Sequence, residues 1–123
     1  MRAVKRTPEG IECVEVPDAS GDGVPVRVVA AGICGTDVTM ASMGPLPVVL
    51  GHEVAGVLAD GTQVAIEPVV PCGACDTCTR GDYQLCRRLQ IVGITRDGGM
   101  AEWVVVPSRC LVPLPGNLDV RDA

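Results

Sequence analysis

Four cysteines crowd into residues 71–86, which read PCGACDTCTRGDYQLC in the order C-x2-C-x2-C-x7-C. This stretch carries almost nothing apolar, so it cannot fold by burying a core. Its sulfur has to hold it. Two disulfides, a redox-active pair and a metal are the chemical options. Seven cysteines is an odd number, and the opening MRAVKRTPEG has no apolar targeting core, so the chain reads as cytoplasmic, where thiols stay reduced. A redox pair is disfavoured by a third cysteine three residues on and by the lack of a βαβ context. Cys72, Cys75, Cys78 and Cys86 together fit a tetrahedral thiolate site with Zn–S of about 2.3 Å. Four thiolates close the coordination shell, which makes such a zinc structural and leaves no position for substrate. Its binding energy would fold a lobe spanning 68–89.

The remainder of the chain must make its core without aromatic bulk. Hydrophobic residues are 47% of the 123, yet aromatics are 2%, with no Phe, one Trp and one Tyr. Valine, isoleucine, leucine and alanine are left, and the valine richness favours strands. Fifteen Gly and ten Pro without a repeat period suit short strands joined by tight turns. Extended segments are predicted at 3–5, 11–16, 24–31, 53–59, 62–66, 91–94, 101–106 and 111–114. Asp60-Gly61 between two apolar runs predicts a two-residue type I′ hairpin. No segment keeps helical periodicity long enough for a doubly wound α/β sheet. One short helix is expected to start within Cys34-Gly35-Thr36-Asp37, with Thr36 or Asp37 as its cap, and to run toward Ser42.

A net charge of −5 with scattered cations gives no electrostatic footprint for nucleic acid or for an anionic membrane. No apolar run approaches the ~18 to 20 residues needed to span a bilayer. The length predicts one domain. Cys34 in GICGTD and His52 in LGHE have the chemistry of metal ligands, although one Cys and one His eighteen residues apart are a weak signal on their own. Cys13 and Cys110, in ECVEV and RCLVP, read as small buried hydrophobes. Trp103 and Tyr83 read as packing and lobe residues.

Taken in order, GICGTD (32–37), LGHEVAG (50–56), the four-cysteine lobe (72–86) and DGGMAEWVVVP (97–107) resemble the zinc-dependent medium-chain alcohol dehydrogenases. The likeness is to their N-terminal GroES-like catalytic domain, and within the family to the polyol, threonine and sugar dehydrogenases. It implies a mainly β fold, a GroES-like partly open β-barrel with short helices and the four-cysteine zinc lobe, occupying 1–123. It further implies that Cys34 and His52 bind a catalytic zinc, with Cys72, Cys75, Cys78 and Cys86 binding the structural one. Thr36 would accept the alcohol proton. Asp37 would orient the His52 imidazole, and Glu53 would stand near the zinc. Thr39 occupies a position where several members of that branch carry a His extending the proton relay, so water would have to substitute.

The third catalytic ligand of the family is expected beyond Ala123. No G-x-G-x-x-G opening a helix occurs within the chain, so NAD(P) is expected only with a nucleotide-binding domain absent from these residues. The implied function is therefore the catalytic domain of a zinc-dependent NAD(P) oxidoreductase, interconverting a small-molecule alcohol, polyol or sugar and its carbonyl. The isolated chain is expected to be inactive, and a homo-oligomer is expected of the full-length form. The alternative is a stand-alone, non-enzymatic GroES-like zinc-binding module. A chaperonin cofactor fits poorly, since it has no use for the cysteine lobe.

Overall fold

A computed structural model describes residues 1–123. Nine strands and two short α-helices alternate with glycine- and proline-rich turns: β1 (Arg2–Arg6), β2 (Ile11–Glu15), β3 (Val24–Gly32), α1 (Gly35–Ala41), β4 (Glu53–Val57), β5 (Gln63–Ile66), β6 (Val69–Val70), α2 (Asp76–Thr79), β7 (Gln90–Ile91), β8 (Trp103–Val106) and β9 (Leu111–Pro113). Five strands form an antiparallel sheet in the order β8-β3-β4-β5-β9. This sheet curls into a half-barrel. The β1–β2 hairpin is joined to it by the isolated bridges Ala3↔Ala101 and Lys5↔Val49. No helix is long and apolar enough to cross a membrane.

The core is what the composition predicts: Val26, Val54, Val64, Ile66, Val70, Val92, Val104, Val106 and Cys110 form one buried cluster without a single aromatic ring. β-branched side chains suit this packing because they lose little rotamer freedom on a pleated surface. Gly56 marks the tightest approach in the sheet. A Cβ there would lie 2.4 Å from the Arg27 carbonyl oxygen and 2.6 Å from Val26 Cγ1, so only glycine fits between β3 and β4.

Five expectations need correction. The β4–β5 hairpin is a three-residue loop, Ala59-Asp60-Gly61, in which Gly61 alone has positive φ, at +89°. Gly61 N–H donates to Leu58 O and Leu58 N–H to Thr62 O, the pattern of a type I turn closed by a left-handed glycine. Asp60 favours it over type I′ because its Oδ1 accepts the Thr62 N–H at 2.9 Å, a local bond compatible with ordinary backbone angles. Helix α1 starts two residues earlier than a Thr36 cap allows and three earlier than an Asp37 cap allows. Cys34 is its N-cap, and Asp37 supports it from within the first turn by accepting the Cys34 N–H at 2.9 Å. The extended run at 91–94 shortens to Gln90–Ile91, because Gly93 turns the chain at φ +75°. The strand at Val69–Val70 was hidden by flanking prolines. Finally, Cys13 is exposed and not packed, whereas Cys110 is buried as expected.

β6 and β7 pair at the neck of the cysteine lobe, with Val70 opposite Gln90 and Val69 opposite Ile91. Arg109 ties that neck to the barrel. Its Nη1 donates to Val69 O at 2.8 Å, its guanidinium lies 5.7 Å from the Tyr83 ring centroid, and its Nη2 lies 3.6 Å from Glu67.

Candidate metal centres

Two clusters of potential metal ligands stand out, one local in sequence and one assembled by the sheet. In the lobe, the ligand atoms of Cys72, Cys75, Cys78 and Cys86 all lie within 4.8 Å of one another. Cys75 Sγ is 3.4 Å from Cys78 Sγ and 3.9 Å from Cys86 Sγ, and Cys72 Sγ is 3.9 Å from Cys78 Sγ. Helix α2 carries Cys78 and is capped by Cys75, so two of the thiols are set by a single helical turn. Thiolates at these separations repel unless a cation lies among them, and the donor set is that of a tetrahedral zinc site.

The surroundings favour thiolate at Cys75 and Cys72. Thr77, buried in the lobe, sets its hydroxyl 3.1 Å from Cys75 Sγ. Together with the Cys78 N–H it brings the Cys75 thiol down to about 5. The backbone N–H groups of Ala74 and Cys75 lower Cys72 as well, helped by Arg88. Cys78 is pushed the other way, up to about 12, by desolvation and by the neighbouring Cys75 sulfur. Thr77 and Arg88 were not singled out from the sequence. A hydroxyl two residues after a ligand cysteine, and a cation two residues after the last one, are the signals that point to them.

The second cluster unites Cys34, His52 and Glu53, whose ligand atoms also fall within 4.8 Å of one another. The antiparallel register explains it. Gly32, last in β3, is paired with Glu53, first in β4, so Cys34 just past one strand end meets His52 just before the other. Behind His52, residues 49–51 are pinned by the DGG stretch: Gly98 N–H donates to Val49 O, Gly99 N–H to Gly51 O and Met100 N–H to Leu50 O. Asp97 Oδ1 accepts the Val49 N–H at 2.9 Å. The backbones pack so closely that a Cβ on Gly93 or Gly98 would fall 2.4 or 2.3 Å from Gly51 O. The glycines of this segment thus fix the loop that presents His52, a role that the sequence reading did not give them.

Asp37 lies buried on α1, and its Oδ1 is 3.7 Å from His52 Nδ1. Neither atom has a hydrogen-bond partner. That orientation leaves Nε2 as the imidazole nitrogen free to ligate. Thr36 is exposed, with Oγ1 3.7 Å from Cys34 Sγ. Thr39 turns back on its own helix and donates to Gly35 O at 3.0 Å. A cysteine, a histidine and a carboxylate converging beside two orphaned buried polar atoms form a donor set that zinc fits.

A model of the alcohol dehydrogenase GroES-like domain matches residues 20–116. The chain belongs to the zinc-dependent medium-chain alcohol dehydrogenase family. L-threonine 3-dehydrogenase of Rhizobium johnstonii is 34% identical over 94% of this chain and 39% of its own length. Sorbitol dehydrogenase of Bacillus subtilis is 33% identical over 92% of this chain and 37% of its own. The crystal structure of an NAD-dependent alcohol dehydrogenase matches with a TM-score of 0.85 at 37% identity, covering 98% of this chain and 41% of that one. The chain therefore spans about two fifths of the length of these medium-chain dehydrogenases, and the match takes in both cysteine-bearing clusters.

Proposed function

We propose that residues 1–123 are the GroES-like catalytic domain of a zinc-dependent oxidoreductase, with its zinc lobe at 68–89, interconverting an alcohol or polyol and its carbonyl with NAD(P). The nicotinamide would be carried by a nucleotide-binding domain outside these residues. Alcohols, polyols or sugars are the substrate class, a homo-oligomer the assembly, and the cytoplasm the setting, in keeping with seven unpaired thiols. The observation that carries this reading is the convergence of Cys34, His52 and Glu53 within 4.8 Å.

Cys34 and His52 would hold the catalytic zinc, and Cys72, Cys75, Cys78 and Cys86 the structural one. A zinc at the first site supplies Lewis acidity toward an alcohol oxygen. Asp37 has two tasks: its carboxylate accepts the Cys34 N–H and faces His52 Nδ1, fixing the tautomer that leaves Nε2 free. Thr36 Oγ1 takes up the alcohol proton. Since Thr39 is bonded to Gly35 O, the proton passes from the exposed Thr36 directly to water. Glu53 sets a negative charge beside the ligands.

The test is native mass spectrometry of the protein purified from its own source, followed by an alcohol and polyol screen with NAD and NADP. Two zincs per chain and alcohol-dependent reduction of one nucleotide are expected. A single zinc that survives mutation of both Cys34 and His52, with no reduction of either nucleotide, would overturn the reading.

A further inference from the structure

Glu53 reaches the metal cluster by an unusual route. It stands directly opposite Gly32 in the β3–β4 ladder, and its side chain folds across that glycine. A Cβ on Gly32 would lie 2.5 Å from Glu53 Oε2, 3.1 Å from its Cβ and 3.5 Å from its Cδ. Any side chain at position 32 would occupy the space that the carboxylate uses.

The pairing is itself the product of an irregularity. Arg27 and Val28 face Val57 and Gly56, but Ala30, Ala31 and Gly32 face Ala55, Val54 and Glu53, so Val29 is an extra residue on β3. Carried on without that bulge, the first register would set Ala31, with its methyl group, opposite Glu53. Bulges beside functional sites re-aim side chains in this way. Here the bulge moves the one residue without a Cβ into register with the carboxylate.

We propose that Gly32 is a positioning residue, and that together with the Val29 bulge it aims the Glu53 carboxylate into the Cys34–His52 cluster; this rests on the reading of that cluster as a metal site. The atom nearest the added Cβ, Oε2, is the far end of a flexible side chain, while Glu53 Cβ at 3.1 Å asks the two strands to give by only a few tenths of an ångström, so substitution at Gly32 displaces the carboxylate and keeps the fold. Gly56 is the contrasting case, because there the obstacle is the Arg27 backbone.

The experiment uses the purified protein at its full natural length, stripped of metal and reloaded with Co2+ alone. Absorption bands distinguish a mixed nitrogen, oxygen and sulfur site from the tetrathiolate lobe, and chelator competition gives the affinity of each. G32A is expected to weaken Co2+ at the mixed site about ten-fold, the scale seen for groups that orient metal ligands. Its bands should shift in the same direction as those of E53Q. The lobe bands and the thermal transition should stay as in the parent. The G32A/E53Q double variant should bind no more weakly than E53Q. An unchanged affinity in G32A, further weakening in the double variant, or loss of the thermal transition would each overturn the proposal. A parent protein showing only tetrathiolate bands would instead remove the metal site itself, and the proposal with it.

Discussion

Asp37 Oδ1 and His52 Nδ1 face each other at 3.7 Å, both buried and neither with another partner. Such a pair is expensive to bury unless something draws it into a hydrogen bond. Ligation of the opposite imidazole nitrogen does so by fixing Nδ1 as the protonated one. Asp37→Ala is therefore expected to weaken metal at Cys34 and His52 by roughly 10- to 100-fold, and to leave the four-cysteine site unchanged. It also removes the acceptor of the Cys34 N–H, which should cost about 1 kcal/mol. Chelator competition and a denaturant titration read the two effects separately.

Removing the lobe metal should unfold the lobe and spare the barrel. Between β6 and β7 the lobe has only a four-residue helix and a 3-10 turn over Tyr83–Leu85, whereas the barrel keeps its valine core. A strong chelator is expected to open tryptic cleavage at Arg80, Arg87 and Arg88, with residues 1–70 staying protected. Mass mapping of the digest checks this; cleavage throughout the chain at the same rate would contradict it.

Glu102 links β1 to the chain entering β8. Its Oε2 accepts the Arg2 N–H at 2.9 Å, and its Oε1 lies 3.2 Å from Arg2 Nη2. These bonds hold the Glu102 carboxyl below its ordinary 4.5, the Arg2 backbone N–H contributing most. A carboxyl lowered by folding stabilises the fold above its unfolded pKa and loses that contribution as pH falls through the lowered value. Exchange at the Arg2 amide should thus stay slow at neutral pH and quicken, beyond the intrinsic pH trend, as pH falls below 4.5. In Glu102→Gln that additional step should vanish.

The two cysteines outside the clusters should behave oppositely. Cys13 is exposed on β2, while Cys110 is fully buried in the core, and burial raises its thiol above the ordinary value. A thiol-alkylating reagent is expected to label Cys13 in the native metal-loaded protein and Cys110 only after unfolding. Cys13→Ser should change stability by no more than about 0.5 kcal/mol. Cys110→Ser, which buries a hydroxyl where a thiol packed, should lose about 1–3 kcal/mol.

Some of this was legible because it is local. The lobe cysteines lie close enough in the chain that spacing alone defines a ligand set, and β-branched runs between glycines and prolines define strands whatever their partners. Where a local competitor existed, the sequence misled. Asp60 found a bond to Thr62 and chose another turn, and Cys34 took the cap assigned to Thr36 or Asp37. The alternation in ECVEV did not reveal which face of β2 would be covered, so Cys13 was misplaced.

What the sequence by itself determined is the set of chemical groups and the lobe that brings four of them together, since neither needs a partner from far along the chain. Only the tertiary structure decided that Cys34, His52 and Glu53 meet. Their meeting depends on the register of β3 against β4 and on one extra residue at Val29 that shifts it. It depends as well on the glycine backbones of a third segment packed behind His52. Register and close approach are set by the packing of whole strands, and a shift of one residue would leave every local signal in the sequence unchanged while placing Ala31 opposite Glu53.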